Sequence, residues 1–467
     1  MTTTQQLNEV KVHFLGASKT VTGSKFLLET PELNILIDCG MFQGLKELRE
    51  RNWEDLPVDV ASIDMVLLTH GHLDHTGYLP RLVCQKFRGD IMGTAPTLGI
   101  ARIILEDSAR IHEEDAKRAN EEGFSKHDPA QPFYSSKEAA FTLGFFKPII
   151  EKQWILLSDN IQCRFIPVGH IIGATFIELD IYGKRFVFSG DVGRPKDYLL
   201  DPPEKPEWAD YLFLESTYGD RLHDQSAPED LIITLINQLA HNPGTLIIPS
   251  FAVERLQTLM YILWKLYQQN KIPNIPVYID SPMGNNVLAV FEQFTRWHKL
   301  PMSEYKAMCN HINIVTSFKE TWEVIDNPRS KIVIAGSGMV TGGRVLTYLK
   351  QLIDHASTQI LLVGYQAEGT RGRQLQEGVH EVKIYGKYYP VKAQVHQLQN
   401  LSAHADQSEL LDWLSDIKNI PEKVFLIHGE AGASDALRVK LQTEKNWQIH
   451  IPELNEVVTL LVQSPTD

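Results

Sequence analysis

At 467 residues, with 43% hydrophobic and 22% charged side chains, the chain has an ordinary globular composition and a length that suggests roughly two to three domains. A formal charge of −13 excludes broad, nonspecific polyanion binding, which leaves a basic footprint, so any grip on nucleic acid has to be local. Cys39, Cys84, Cys163 and Cys309 lack CxxC spacing, which excludes a zinc ribbon or disulfide framework, and neither a leader pattern in "MTTTQQLNEVKV" nor an apolar run of about 18 residues points to secretion or a membrane.

A cytoplasmic location is therefore expected. The first predicted strands, "NILIDCG" and "DMVLLTH", run into Asp38 and His70. Strand alternation turns Cys39 to the other face, where it packs. The stretch "LLTHGHLDHTGYLP", residues 67–80, then sets His70, His72, Asp74 and His75 inside six positions. Packing does not explain so many polar groups, because each would need its own partner if buried. A divalent metal does, since imidazole nitrogens and carboxylate oxygens must converge on it. His70 and His72, at alternate positions, can face one point while Asp74 and His75 turn toward another about 3.5–4 Å away, the separation of two-metal hydrolytic sites. Four local ligands cannot close two coordination spheres, so the remaining donors are sought at other strand ends.

Residues 101–160 read as an acidic solvated helix and a loop, a surface excursion. Beyond them, "RFIPVGH" ends on His170, "RFVFSGD" on Asp191 and "YLFLEST" on Glu215, and much later "KVFLIHG" ends on His428. Ligand sites in α/β sheets gather at such ends, where a rigid strand hands over to a loop. Between 222 and 395 near-continuous apolar strands alternate with helices, which predicts a parallel sheet covered on both faces. Site residues lie on both sides of this stretch. It is therefore expected to be an insertion (222–395) within a first domain made of 1–221 and 396–467.

Three turns of the insertion offer backbone N–H groups and an arginine to phosphate: "SFAVER" with Ser250 and Arg255, "GSGMVTGGR" with Ser337, Gly338 and Arg344, and "GYQAEGTRGR" with Arg371 and Arg373. His223, shortly after Glu215, is read as a structural residue, with a substrate-side role as the alternative. Beyond the insertion, "LSAHAD" carries His404.

Together, Asp38, the HxHxDH run, His170 and Asp191 in that order resemble the metallo-β-lactamase superfamily. The resemblance implies an αββα sandwich with a dinuclear zinc site of two Zn²⁺ per chain, manganese being the alternative. It places His70, His72 and His170 on one zinc, Asp74, His75 and His428 on the other, Asp191 between them, and Asp38 behind the ligands. The flavodiiron branch, with Glu where His72 stands, does not fit. "FLESTYG", the long insertion, "LSAHAD" and "LIHGE" further resemble the β-CASP subgroup, and within it the RNA-cleaving branch related to the mRNA 3′-end processing endonuclease.

That likeness implies a ribonuclease acting on single-stranded RNA through a metal-activated hydroxide, leaving 5′-phosphate and 3′-hydroxyl ends. It is expected to act as an endonuclease, with 5′-to-3′ exonuclease action as the variant. Asp74 and Asp38 would serve the metal-centred chemistry, while His404, oriented by Glu215, would protonate the departing oxygen. A small-molecule ester or lactone hydrolase on the same centre is the competing enzyme, but it would need neither the insertion nor the Glu215/His404 pair. An RNA-binding scaffold without chemistry should lack ligands, and here all seven positions are filled. With 39 residues after His428, recognition is expected in the cleft or on a homodimer surface.

Overall fold

A computed structural model describes residues 7–122, 128–224, 226–398 and 401–463. The first six residues, read above for a leader, and 123–127 of the acidic excursion lie outside them. Two seven-stranded sheets face each other. The first is built mostly from the N-terminal part, in the order Val457–Gln463, Leu7–Phe14, Phe26–Glu29, Asn34–Ile37, Met65–Leu67, Asp90–Thr94 and Phe146–Ile149. The second runs Ile449–His450, Lys423–Ile427, Tyr211–Glu215, Lys184–Phe188, Thr175–Ile181, Ile161–Pro167 and Ile155–Ser158.

Alternation explains why these strands pair face to face. In Leu7–Phe14 every second side chain is buried, so Val10, Val12 and Phe14 line the interior while Lys11 and His13 reach Glu29 on the outer face. Inside, Phe188 stacks on Phe213 at 4.0 Å and Phe213 on Phe425 at 4.8 Å, tying three neighbouring strands of the second sheet together. Each such buried ring contributes about 1.5–3 kcal/mol relative to an exposed one. Helices cover the outer faces, giving the expected αββα sandwich.

The third sheet is all parallel, in the order Asn313–Ile314, Val277–Asp280, Lys331–Ala335, Thr245–Pro249, Thr358–Val363 and Gln394–Leu398. Its central strands "TLIIP", "KIVIA" and "TQILLV" are buried along their whole length. That follows from apolar side chains on both faces and helices above and below. One apolar cluster runs without a break from Leu212, Leu214 and Leu426 of the second sheet to Leu246 and Ile248 of the third and Leu256 of the helix Arg255–Gln268 beside it. The inserted unit is thus welded to the sandwich by a shared core.

The acidic excursion differs from its expected form. Helix Ala95–Glu122 does carry a solvated charged face, with Arg110 paired to Asp107 and Glu114, but it buries Ile100, Ala101, Ile104, Leu105 and Ala109 on the other. Ile100 and Ile104 join the core shared with helix Pro282–Gln293, and Leu105 and Ala109 cover the first sheet. The strand that follows, Phe146–Ile149, extends that sheet. Charged residues dominate this segment's composition and mask a periodic apolar stripe.

Candidate metal centre and cleft

Asp38 follows strand Asn34–Ile37, His70 lies three residues past Met65–Leu67, and His428 follows Lys423–Ile427. Asp38 (φ 56°) and His428 (φ 49°) take the left-handed conformation, which turns the chain sharply as it leaves each sheet. Within HxHxDH the backbone changes from extended at His72 to a helical turn at Leu73–Thr76. That change of period sends His70 and His72 to one point and Asp74 and His75 to another. Gly40 makes room for this turn, since a Cβ there would sit 1.5 Å from the carbonyl oxygen of Asp74.

Two clusters result: His70, His72, His170 and Asp191 in one, and Asp74, His75 and His428 in the other. His72 Nδ1 lies 3.1 Å from His70 Nε2 and 3.3 Å from His170 Nε2. In the second cluster His428 Nε2 is 3.3 Å from both His75 Nε2 and Asp74 Oδ2. Asp191 stands between them, with Oδ2 3.4 Å from His70 and His170, and Oδ1 3.3 Å from His75.

These donors fit zinc. Ligands about 2.0–2.1 Å from one tetrahedral ion are roughly 3.3–3.4 Å apart, which matches the spacings within each cluster. Asp191 Oδ1, sealed from solvent, accepts no hydrogen bond among the described residues, a cost unless a cation faces it. The ring nitrogens are sorted as metal binding requires. His75 Nδ1–H donates to Asp38 Oδ2 (2.7 Å), His70 Nδ1–H to Thr69 Oγ1 (3.1 Å), His428 Nδ1–H to Thr217 Oγ1 (3.1 Å) and His170 Nδ1–H to the Ala403 carbonyl (3.4 Å). All four leave the Nε2 lone pair directed at the clusters. Burial, helped by neighbouring imidazoles, keeps His70 and His170 well below the usual imidazole range and lowers His72 to about 4, so the three are neutral. Burial also opposes charge on His75, but Asp191 and Asp38 outweigh it and favour positive charge at its Nε2, which a bound metal would supply in place of a proton.

Asp38 touches no other member of the clusters than His75. Its Oδ1 accepts from the Thr69 backbone N–H and its Oδ2 from the Thr69 hydroxyl, both at 2.8 Å, so it braces His70 through Thr69 as well as His75 directly. Thr69 and Thr217 were not singled out in the sequence. Their signal was position alone, one residue before His70 and two after Glu215.

Glu215, fully buried, accepts from the Val192 backbone N–H at 2.6 Å and from His404 Nδ1–H at 3.2 Å. His404 Nε2 then sits 3.8 Å from Asp191 Oδ2, beside the clusters. Burial disfavours the imidazolium, yet the Glu215 and Asp191 carboxylates prevail and push His404 up to about 9. Replacing Glu215 by Gln removes the larger of these carboxylate contributions. In Glu215→Gln the His404 ring is expected to lose its proton at lower pH, checked by an NMR titration of the imidazole; an unmoved titration would detach Glu215 from this role.

The phosphate-gripping residues fare differently. Arg255, at the start of helix Arg255–Gln268, is buried in the field of Asp197, Glu254 and Tyr218, and its guanidinium makes no hydrogen bond among the described residues. Ser250 Oγ donates to the Phe251 carbonyl, Ser337 Oγ pairs with Thr341 Oγ1, and Gly338 lies against the Phe251 ring. Arg344 donates to Thr321 Oγ1 (3.0 Å), lies 3.6 Å from Asp280 and covers the Phe318 ring. Arg371 donates to the carbonyls of Lys383 (2.6 Å) and Thr341 (3.1 Å), and Arg373 to that of Gln366 (2.7 Å). These three arginines are occupied by side chains and carbonyls of neighbouring segments instead of extending freely toward an anion. A guanidinium has five donors, and the fold brings acceptors from distant parts of the chain to meet them. His223 likewise turns inward, with its ring nitrogen Nε2 2.9 Å from the His404 carbonyl.

A cavity of about 210 Å³ has a wall formed by Lys19–Thr22, Phe42–Gln43, Ala367–Glu368 and Glu430, two residues beyond His428 in the chain.

Comparison with known proteins completes the picture. Family models match at three places: the metallo-beta-lactamase superfamily over 21–84, the Beta-Casp domain over 256–375 and the Zn-dependent metallo-hydrolase RNA specificity domain over 388–452. Ribonuclease TTHA0252 of Thermus thermophilus is 32% identical over 424 residues, covering 89% of this chain and 92% of that protein. The chain belongs to the β-CASP branch of the metallo-β-lactamase superfamily. The RNase J-like protein of Methanocaldococcus jannaschii is 30% identical over 90% of this chain and 93% of its own. The transcription termination factor FttA of the same organism is 28% identical over 90% of this chain and 67% of its length. A solved Enterococcus faecalis protein of unknown function is similar in fold, at TM-score 0.54 and 13% identity over 97% of this chain and all of that one.

Proposed function

We propose that this β-CASP protein is a metal-dependent ribonuclease that hydrolyses single-stranded RNA in the cleft between the sandwich and the inserted unit, with two zinc ions per chain. The observation that carries the reading is the Glu215/His404 pair beside the two ligand clusters, because ester or lactone opening has no use for it. Two of the related proteins bear ribonuclease names, and the RNA specificity domain matches over 388–452.

Zinc bound by these donors would supply Lewis acidity and lower the pKa of water at the site, with manganese as the alternative ion. The chain's own residues do the rest. Asp191, Asp74 and the five clustered histidines would hold the ions, and Asp38 keeps His75 and Thr69 in register. His404, charged up to about pH 9, holds a proton on Nε2 that can pass to the departing 3′-oxygen, while Glu215 fixes the opposite nitrogen of the ring. Cleavage of the P–O3′ bond leaves a 5′-phosphate and a 3′-hydroxyl. Arg255 is the insertion's best-placed candidate for a phosphate contact, being buried without a hydrogen-bonded partner among the described residues.

A defined RNA labelled separately at each end tests the reading. Internal fragments carrying 5′-phosphates, formed equally from 5′-monophosphate and 5′-triphosphate substrates, are expected of an endonuclease. Stepwise mononucleotide release from the 5′ end would make it an exonuclease, and intact RNA beside rapid thioester or lactone hydrolysis would overturn the assignment.

A further inference from the structure

Between Glu215 and helix Pro228–His241 the chain crosses from the second sheet into the inserted unit, and on the way it lies against the turn that carries His404. Three bonds stitch these segments through backbone groups of the crossover. The His223 N–H donates to Asp406 Oδ2 (2.9 Å), the Gln407 N–H to the Arg221 carbonyl (3.2 Å) and Gln407 Nε2–H to the Gly219 carbonyl (2.6 Å). A fourth depends on a side chain. His223 Nε2 lies 2.9 Å from the carbonyl of His404 itself, with the His223 ring 4% exposed and 4.7 Å from that of Tyr218.

A carbonyl can only accept, so the proton of His223 resides on Nε2. Burial keeps the imidazole neutral, so no charge has to be compensated at this position. His404 is then held at both ends: Glu215 grips its Nδ1 and His223 its backbone oxygen, while the next N–H, of Ala405, donates to the Val192 carbonyl at 2.8 Å. The Val192 N–H donates to Glu215 at 2.6 Å, which closes the frame.

We propose that His223 is a positioning residue for His404, holding the peptide that carries it so that Nε2 faces the scissile phosphate. This rests on the reading of His404 as the proton donor to the leaving oxygen. A displacement near 1 Å at a reacting group can cost up to about 100-fold in rate.

The test compares full-length wild type, His223→Leu, His223→Gln, His404→Ala and the His223→Leu/His404→Ala double variant, on RNA and on bis(p-nitrophenyl) phosphate, whose nitrophenolate departs without a proton. The ratio of the two rates within one preparation does not depend on how much of it is folded. In His223→Leu kcat on RNA is expected to fall roughly 10- to 100-fold with KM within about twofold, and the RNA-to-ester ratio to fall alongside. His223→Gln, which restores an N–H donor, should recover kcat to within about fivefold of wild type, and in the His404→Ala background His223→Leu should add less than about threefold. An unchanged ratio in His223→Leu, a His223→Gln as slow as His223→Leu, or full additivity in the double variant would overturn the proposal. If His404→Ala itself keeps the wild-type ratio, the proton-donor reading fails first and the proposal falls with it.

Discussion

Asp74→Ala with His75→Ala is expected to abolish RNA cleavage and to reduce bound zinc from the proposed two ions per chain to one or none, measured by elemental analysis of the purified protein. The two side chains supply two of the three donors that converge with His428, so a single imidazole is left at that point. Loss of His75 also strips Asp38 of its 2.7 Å partner in the interior. Removing one member of a buried pair costs about 3–5 kcal/mol, so the variant should melt earlier as well. Dialysis against a chelator separates the two effects, because it removes metal while leaving the Asp38–His75 contact in place. Full cleavage by the double variant would end the metal-centred account.

His404→Ala is expected to cut kcat on RNA by about 10²–10⁴-fold, or roughly 3–5 kcal/mol of barrier, while zinc content and KM stay near wild type. The ring lies next to the clusters without completing either, so its removal should leave the metal donors intact. The loss should shrink on substrates whose leaving group departs as a stable anion. A loss below tenfold on RNA, or a loss accompanied by missing zinc, would remove His404 from the protonation step. This variant and the metal-ligand pair therefore fail in different ways, one keeping its ions and the other its proton donor.

The metal centre was legible because chemistry restricts it to few residue types and topology to few places. Imidazoles and carboxylates at strand ends, crowded in "HGHLDH" and repeated at His170, Asp191 and His428, have little other use. The structure brings all of them together with Glu215 and His404. What the sequence could not disclose was the occupation of donors. Arg344, Arg371 and Arg373 read as cations awaiting phosphate, but their partners are an aspartate, a hydroxyl and loop carbonyls that tertiary folding delivers from 30 or more positions away in several cases. His223 reads as a structural residue from its neighbourhood in the chain, but the partner that sets its direction is a turn more than 180 residues later. In the helix Ala95–Glu122 charge dominates composition, and the buried stripe shows only when the residues are placed on a cylinder.

The order in which the donors leave the ribosome has a consequence for the cell that makes this protein. His70, His72, His170 and Asp191 emerge early, whereas His404 and His428 follow only after the whole parallel sheet, and strand Val457–Gln463 must still pair with Leu7–Phe14. Such long-range pairing forms late and slowly. A growing polypeptide can therefore have its first ligand cluster while lacking both the proton donor and the second cluster. Cleavage is therefore expected only once His428 and strand Val457–Gln463 have joined the fold.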